Sequence, residues 1–233
     1  SAKKKKQNIH CSWIPSINIT CLTFQENIPE ITAMGTCSMG HFFIMELVGR
    51  NLSDLRRQLP HRRLSPGTLY RAMLQVTHAL SLVHGAGFLH RDLKPSNCCI
   101  GVDHVTRIYL LDYGLARQYI DSSGLMRKPR ESIGMRGTLR YVSLEAHARH
   151  DLGPSHDLVA LLYSIIELGD GRLPWSKMRD EAAIKASKMG TTVEKLCEKQ
   201  PKMLKMAEVA FLSVIDDIAT SPTVAEAEIC ELQ

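Results

Sequence analysis

The clearest periodic signal in the chain runs through Leu69, Met73, Val76, Leu80 and Val83, which recur at steps of four, three, four and three. That spacing places them on one face of a helix about four turns long. Ser65 and Pro66 stand where an N-cap and a first helical residue belong, and Gly85 or Gly87 supplies the stop. A second helix is predicted around Leu158, Leu161, Leu162, Ile165, Ile166 and Leu168. It is apolar nearly all round, so it belongs at the centre of a core, and Leu173-Pro174-Trp175 ends it. The run His41–Val48 (HFFIMELV), bounded by Gly40 and Gly49, predicts a buried strand. NLSDLRRQL predicts a short helix with Asn51 or Ser53 near its start. Cys98–Ile100 and Arg107–Leu111, split by a GVDH turn, predict a small hairpin. Amphipathic helices are expected at roughly 178–188, 192–199 and 202–219. Residues 1–40 show little pattern and no repeat is visible. Residues 112–145 are rich in Gly, Ser, Pro and Arg without a period, and so long an irregular stretch inside a compact domain points to function. The outcome is a mostly helical α+β chain with a few short strands.

Composition changes this picture little. Hydrophobic residues make up 44% and charged residues 23%, as in an ordinary globular protein, which argues against wholesale disorder. The net charge of +5 suits anionic partners such as phosphates, acidic proteins or microtubule surfaces. With aromatics at 6% and no stripe of Arg and aromatic residues, nucleic acid is not expected as a partner. No apolar run is long enough for a membrane span, and SAKKKKQNIHCSW lacks the apolar segment of a signal peptide, so no membrane partner is expected. Seven Cys without a Cys-x-x-Cys spacing suggest neither zinc nor a disulfide framework. A reducing compartment, cytoplasmic or nuclear, is expected. The sequon Asn18-Ile19-Thr20 is then a chance match, and Lys3–Lys6 a solvated charge run.

The chemistry is concentrated in HRDLKPSN (90–97) and LLDYGLARQY (110–119). Asn97 and Asp112 are hard oxygen donors of the kind Mg²⁺ takes alongside phosphate. Lys94 can neutralise a transferring phosphoryl group, and Asp92 can orient an attacking hydroxyl and accept its proton. Phosphoryl transfer asks mainly for such positioning and electrostatics.

His90 to Asn97 followed by Asp112-Tyr113-Gly114 resembles the catalytic and metal loops of a eukaryotic protein kinase, and K-P-x-N resembles the Ser/Thr subclass. Together with LVGRNLSDLRR, RGTLRYVSLEAH and GRLPW, the chain is similar to the casein kinase 1 superfamily, closest to its tau-tubulin kinase branch and nematode relatives. The resemblance covers about residues 40–220. It implies a protein-kinase-like fold, ATP and Mg²⁺ as cofactors, and protein substrates. It implies that Met45 is the gatekeeper, that Glu46 and Val48 offer backbone groups to adenine, and that Cys99 sits beneath the purine. By the same resemblance Asp157 braces the catalytic loop, and Thr138 contacts Asp92 and Lys94 and favours Ser/Thr acceptors. His90 is expected to support the loop rather than act as a base, and Cys98 to be a small buried hydrophobe. Arg127, Lys128, Arg130, Arg136, Arg140 and Arg149, against Asp121, Glu131 and Glu145, suggest acidic or already phosphorylated substrates.

Three features depart from the family pattern. Tyr113 stands where Phe is usual, and its hydroxyl needs a partner. Ser143-Leu144-Glu145 replaces Ala-Pro-Glu. A kinase N-lobe takes roughly 60–75 residues, whereas 45 precede Glu46, with neither G-x-G-x-x-G nor a V-A-I-K-like lysine. The expectation is a partial N-lobe over residues 1–45, a C-lobe over 46–220 and a tail over 221–233. A chain so divided is expected to be a fragment and a weak or inactive kinase, with a docking module as the alternative.

Overall fold

The computed structural model describes residues 25–130 and 133–200. The third amphipathic helix, the Lys3–Lys6 run and the tail lie outside the described residues.

Strand β1 (Ile31–Cys37) pairs antiparallel with β2 (Gly40–Met45) across a tight turn, where Gly40 takes a φ of 126° that a side chain would resist. The sequence pattern gives no sign of β1, for a physical reason: most of its residues are exposed on both faces, so nothing selects alternation. The single strand expected over 41–48 is two strands. The chain leaves the first sheet after Met45 and enters a second at β3 (Val48–Asn51), with Glu46 and Leu47 between them. Gly49 lies inside β3 rather than ending the strand, pressed against Ile100 and Gly101.

The helix α1 (Leu52–Gln58) follows at once, and of the two expected caps it uses Asn51, whose side chain accepts from the Asp54 amide at 2.8 Å. Helix α2 (Pro66–Gly85) starts on the Ser65 cap with Pro66 in its first turn, and its buried face includes Leu69, Val76, Leu80 and Val83. After the short strand β4 (Phe88–Leu89), the hairpin appears where the sequence places it. Its strands are β5 (Cys98–Gly101) and β6 (Ile108–Leu110), with β3 on the other side of β5. Strand β7 (Arg117–Gln118) pairs with β4, and the described residues from there to α3 (Leu144–His147) are almost entirely irregular.

Helix α4 (Pro154–Asp170) is buried from Ser155 to Leu168 and packs against α2, so it is the axis of the core. Leu162, Ile165 and Ile166 are at most 2% exposed, which stabilises the fold by about 1.5–3 kcal/mol each. Trp175 closes one side, with its ring edge-on to Tyr163 and its indole N–H on the Arg140 carbonyl at 2.7 Å. Helices α5 (Glu181–Met189) and α6 (Val193–Leu196) cover the remainder, both shorter than the pattern suggests.

The segment before β1 is tied to the C-terminal part by Asn27. This residue is buried with φ at 67°, a left-handed conformation that Asn tolerates better than most residues. Its side-chain amide donates to Gln75 Oε1 at 2.9 Å and to the Ile108 carbonyl at 2.8 Å, while its own carbonyl accepts from the Leu110 amide at 2.9 Å. Asn27→Gly should cost about 1–3 kcal/mol in urea unfolding, because the Ile108 carbonyl loses a buried partner. Asn27→Ala should cost more, since it adds the left-handed penalty to the same loss.

Candidate active site

The site is assembled around α4. Asp157 is buried in the first turn of that helix, and its two oxygens accept the backbone amides of His90 and Arg91, each at 2.8 Å. His84 Nε2, from the end of α2, meets the same carboxylate at 2.9 Å. Burial works to raise the Asp157 pKa, but the hydrogen bond and charge of His84, with help from His90, outweigh it and leave the carboxyl below its usual value. The carboxylate thus fixes a backbone turn in which Arg91 adopts φ of 65°, a strained conformation for a side-chain-bearing residue.

The residues after that turn are locked in sequence. His90 is fully buried. Its Nδ1 accepts from the Asp92 amide at 3.2 Å and its Nε2 lies 3.0 Å from the Leu111 carbonyl. Burial lowers its pKa, so the ring is neutral and serves as a spacer between two loops, as expected. Asn97 donates through its side-chain amide to the Asp92 carbonyl at 2.9 Å, and its own carbonyl accepts from Leu111 at 2.8 Å. Cys98 is a buried hydrophobe whose thiol is pushed up to about 12 by burial.

Three side chains then converge. Lys94 Nζ lies 2.5 Å from Asp92 Oδ2 and 3.1 Å from Thr138 Oγ1, and the Thr138 hydroxyl donates to Asp92 Oδ1 at 2.7 Å. Thr138 is brought across 46 residues of sequence by Gly137. A Cβ there would sit 2.5 Å from the Arg91 carbonyl oxygen, and its φ is 87°. Only glycine lets the two loops touch at that point.

Asp112 follows Leu111 and is exposed. It has φ of 68°, and Oδ1 accepts from the Gly114 amide at 3.4 Å. With Asn97 joined to Leu111, the two oxygen-bearing side chains lie on adjoining loops, which fits a hard divalent ion taking a few protein oxygens and the rest from phosphate. The Tyr113 hydroxyl finds the Leu110 carbonyl at 3.3 Å, and its ring stands edge-on to His90 at 5.1 Å.

Around the connection between the sheets, Met45 ends β2 and Val48 opens β3. The Glu46 amide bonds to the Glu30 carbonyl at 2.8 Å, and Glu46 Oε1 accepts from the Tyr109 hydroxyl at 2.8 Å. Cys99 lies on β5, opposite Asn51 of β3 and Tyr109 of β6, with its thiol pushed up to about 11 by burial. Sequence reasoning missed Tyr109 as the strap on Glu46, and nothing short of the fold reveals it.

Residues 121–150 carry their charge differently from the count of basic and acidic positions. Arg130 pairs with Asp151, Arg140 with Glu167 and Arg149 with Glu181, while Arg117 approaches Asp151 at 3.6 Å. Lys128 and Arg136 form no ion pair among the described residues. Burial and the nearby Arg117, Arg130 and Arg136 push the Arg91 pKa down to about 10, so this corner remains strongly positive. Next to Lys94 and Thr138 lies an open groove of about 520 Å³, whose charged lining is Lys94, Arg140 and Arg179. Ser143, in place of Ala, caps α3 and meets His156 Nδ1 at 2.8 Å.

With this geometry in hand, residues 3–221 match the protein kinase domain. The chain belongs to that family. It is 42% identical over 161 residues to a Dictyostelium discoideum protein named as a serine/threonine-protein kinase, covering 67% of this chain and 32% of that one. A Caenorhabditis elegans protein named as a casein kinase I is 39% identical over 156 residues, covering 66% and 46%. The serine/threonine-protein kinase spe-6 of the same organism is 36% identical over 151 residues, covering 64% and 40%. The chain therefore spans about a third to a half of these relatives' length.

Because the folded pKa of Asp157 lies below its unfolded value near 3.9, its contribution to stability is fully present above about pH 4 and is lost as pH falls through the folded pKa. Asp157→Asn should be about 3 kcal/mol less stable at pH 7 and lose less on acidification. Urea unfolding from pH 7 to pH 3 checks both.

Proposed function

We propose that this chain carries the phosphoryl-transfer half of a serine/threonine protein kinase of the casein kinase 1 superfamily, of the tau-tubulin kinase type. The reaction is transfer of the ATP γ-phosphoryl group to a Ser or Thr hydroxyl of a protein. The observation that carries this reading is the Asp92–Lys94–Thr138 triangle beside a groove open to solvent. Asp92 receives the acceptor hydroxyl's proton, and Lys94 faces the charge that develops on the transferred group. Asn97 and Asp112 would hold Mg²⁺, which neutralises phosphate charge when bound. The Glu46–Val48 connection would receive adenine above Cys99, with Met45 as gatekeeper.

The groove's basic lining, Arg140 and Arg179 with Lys94, and the positive corner at Arg91 and Arg136 support a preference for acidic or phosphorylated substrates. A cytoplasmic or nuclear setting suits the buried thiols of Cys98, Cys99 and Cys197.

One observation favours a second reading as a protein-interaction module. The β1–β2 hairpin exposes Met34, Met39 and Phe42, and residues 25–45 contain no Lys or Arg to meet ATP phosphates.

In a peptide assay with Mg²⁺-ATP, Asp92→Asn should lower kcat by about 10²–10⁴ while the fold stays intact by circular dichroism. A wild-type chain that transfers no phosphate, and whose melting temperature ignores Mg²⁺-ATP, belongs to the second reading. Peptides with upstream acidic or phosphorylated residues should show higher kcat/KM than neutral ones, and equal values across the panel remove the substrate preference.

A further inference from the structure

Lys188 is the one lysine in the described residues whose side chain is nearly inaccessible, at 4% exposure, and no carboxylate among the described residues contacts it. It projects from α5, one helical turn after buried Ile184. Its ammonium reaches the Leu139 carbonyl at 2.8 Å, the Val142 carbonyl at 2.5 Å and His147 Nε2 at 3.2 Å. The rings of Tyr163 and Trp175 lie 5.2 Å and 5.4 Å from the nitrogen. Three N–H donors therefore meet three acceptors between two aromatic rings, which is how a buried cation is tolerated without a counter-ion.

We propose that Lys188 is a positioning residue for phosphoryl transfer, an ammonium clamp that holds the 138–142 loop from beneath and so keeps Thr138 against Asp92 and Lys94. The inference rests on the kinase reading of that triangle. The carbonyls of Leu139 and Val142 bracket the loop, and the Trp175 indole takes the Arg140 carbonyl between them. On its upper side the same loop lines the groove with Thr138, Leu139 and Arg140. The Thr138 carbonyl accepts from Tyr141 and Val142 at 2.8 and 3.2 Å, so the loop is a closed turn whose position is set by what grips its outer carbonyls. A lysine packed only to fill space has no reason to engage both ends of this turn.

The groups that face the clamp are His147 from α3, Tyr163 from α4, and Glu181 and Lys185 from α5, with Arg149 held on Glu181 and Glu145 acting on Tyr163. His147 is held with its Nδ1 3.2 Å from Glu181, and burial and Lys188 lower its pKa, so it stays neutral above pH 7 and accepts from Lys188. Burial pushes the Lys188 amine down to about 7. The neutral amine has two N–H groups for three acceptors, so the clamp loosens as pH rises. Global stability moves the other way: between about pH 7 and the unfolded value near 10.4 the unfolded chain binds the extra proton, and stability rises with pH.

The test is Lys188→Met in the full chain. Peptide kcat/KM should fall by about tenfold or more with the KM for ATP within about twofold. Amide exchange at residues 139–143 should quicken by about tenfold while the α4 amides are unchanged. An equal loss in ATP KM, or exchange that quickens in α4 as well, makes Lys188 merely structural and overturns the proposal. If the variant does not fold, the wild type decides. Its peptide kcat/KM should decline from about pH 7 to 9 while its unfolding free energy does not, and a flat profile or a parallel decline overturns the clamp. A wild type without any transfer sinks the kinase reading, and the exchange measurement still settles the clamp.

Discussion

Everything in the site depends on one carboxylate holding two consecutive backbone amides. Asp157 sits on the most deeply buried helix, and its oxygens determine where His90 and Arg91 lie. From that grip follow the strained turn at Arg91, the placement of His90 between the two loops, and the direction in which Asp92, Lys94 and Asn97 leave the core. A backbone turn with a left-handed residue is costly in isolation. Here the cost is offset by charge-assisted hydrogen bonds in a site with little access for water.

The second constraint is contact between loops far apart in sequence. Gly137 touches the Arg91 carbonyl, Thr138 bonds Asp92 and Lys94, and the carbonyls beyond them are gripped by Trp175 and Lys188. The irregular segment between β7 and α3 is therefore ordered at its end by a few polar contacts rather than by secondary structure. Arg130, Arg140 and Arg149 are bound into ion pairs with Asp151, Glu167 and Glu181, while Arg127, Lys128 and Arg136 form none among the described residues.

How much of this could be read in the sequence depended on whether burial leaves a period. Helices α2 and α4 announce themselves, because one buries a stripe and the other its whole surface. Asp92, Lys94, Asn97 and Asp112 stood out because HRDLKPSN and LLDYGLARQY resemble kinase loops, and the fold joins those loops through the Asn97 carbonyl and the Leu111 amide. Strand β1 was not, since exposed strands need no alternation, and the break at Glu46–Leu47 was hidden inside a continuous apolar run. Asn27 and Tyr109 act through contacts 81 and 63 residues away, and no local pattern encodes them. Lys188 left a faint trace, a lysine four positions after Ile184 on the buried stripe of α5.

Asn27 and Glu46 flank the β1–β2 hairpin, and both are fastened to the same strand neighbourhood, one through the Ile108 and Leu110 backbone and the other through Tyr109. The hairpin thus enters and leaves through two anchors on β6 rather than swinging from a single connection. The position of residues 46–48 is thus dictated by β6 and, through Gln75, by α2. Changes in the packing of those elements would shift the connection between the two sheets with none of its own residues altered.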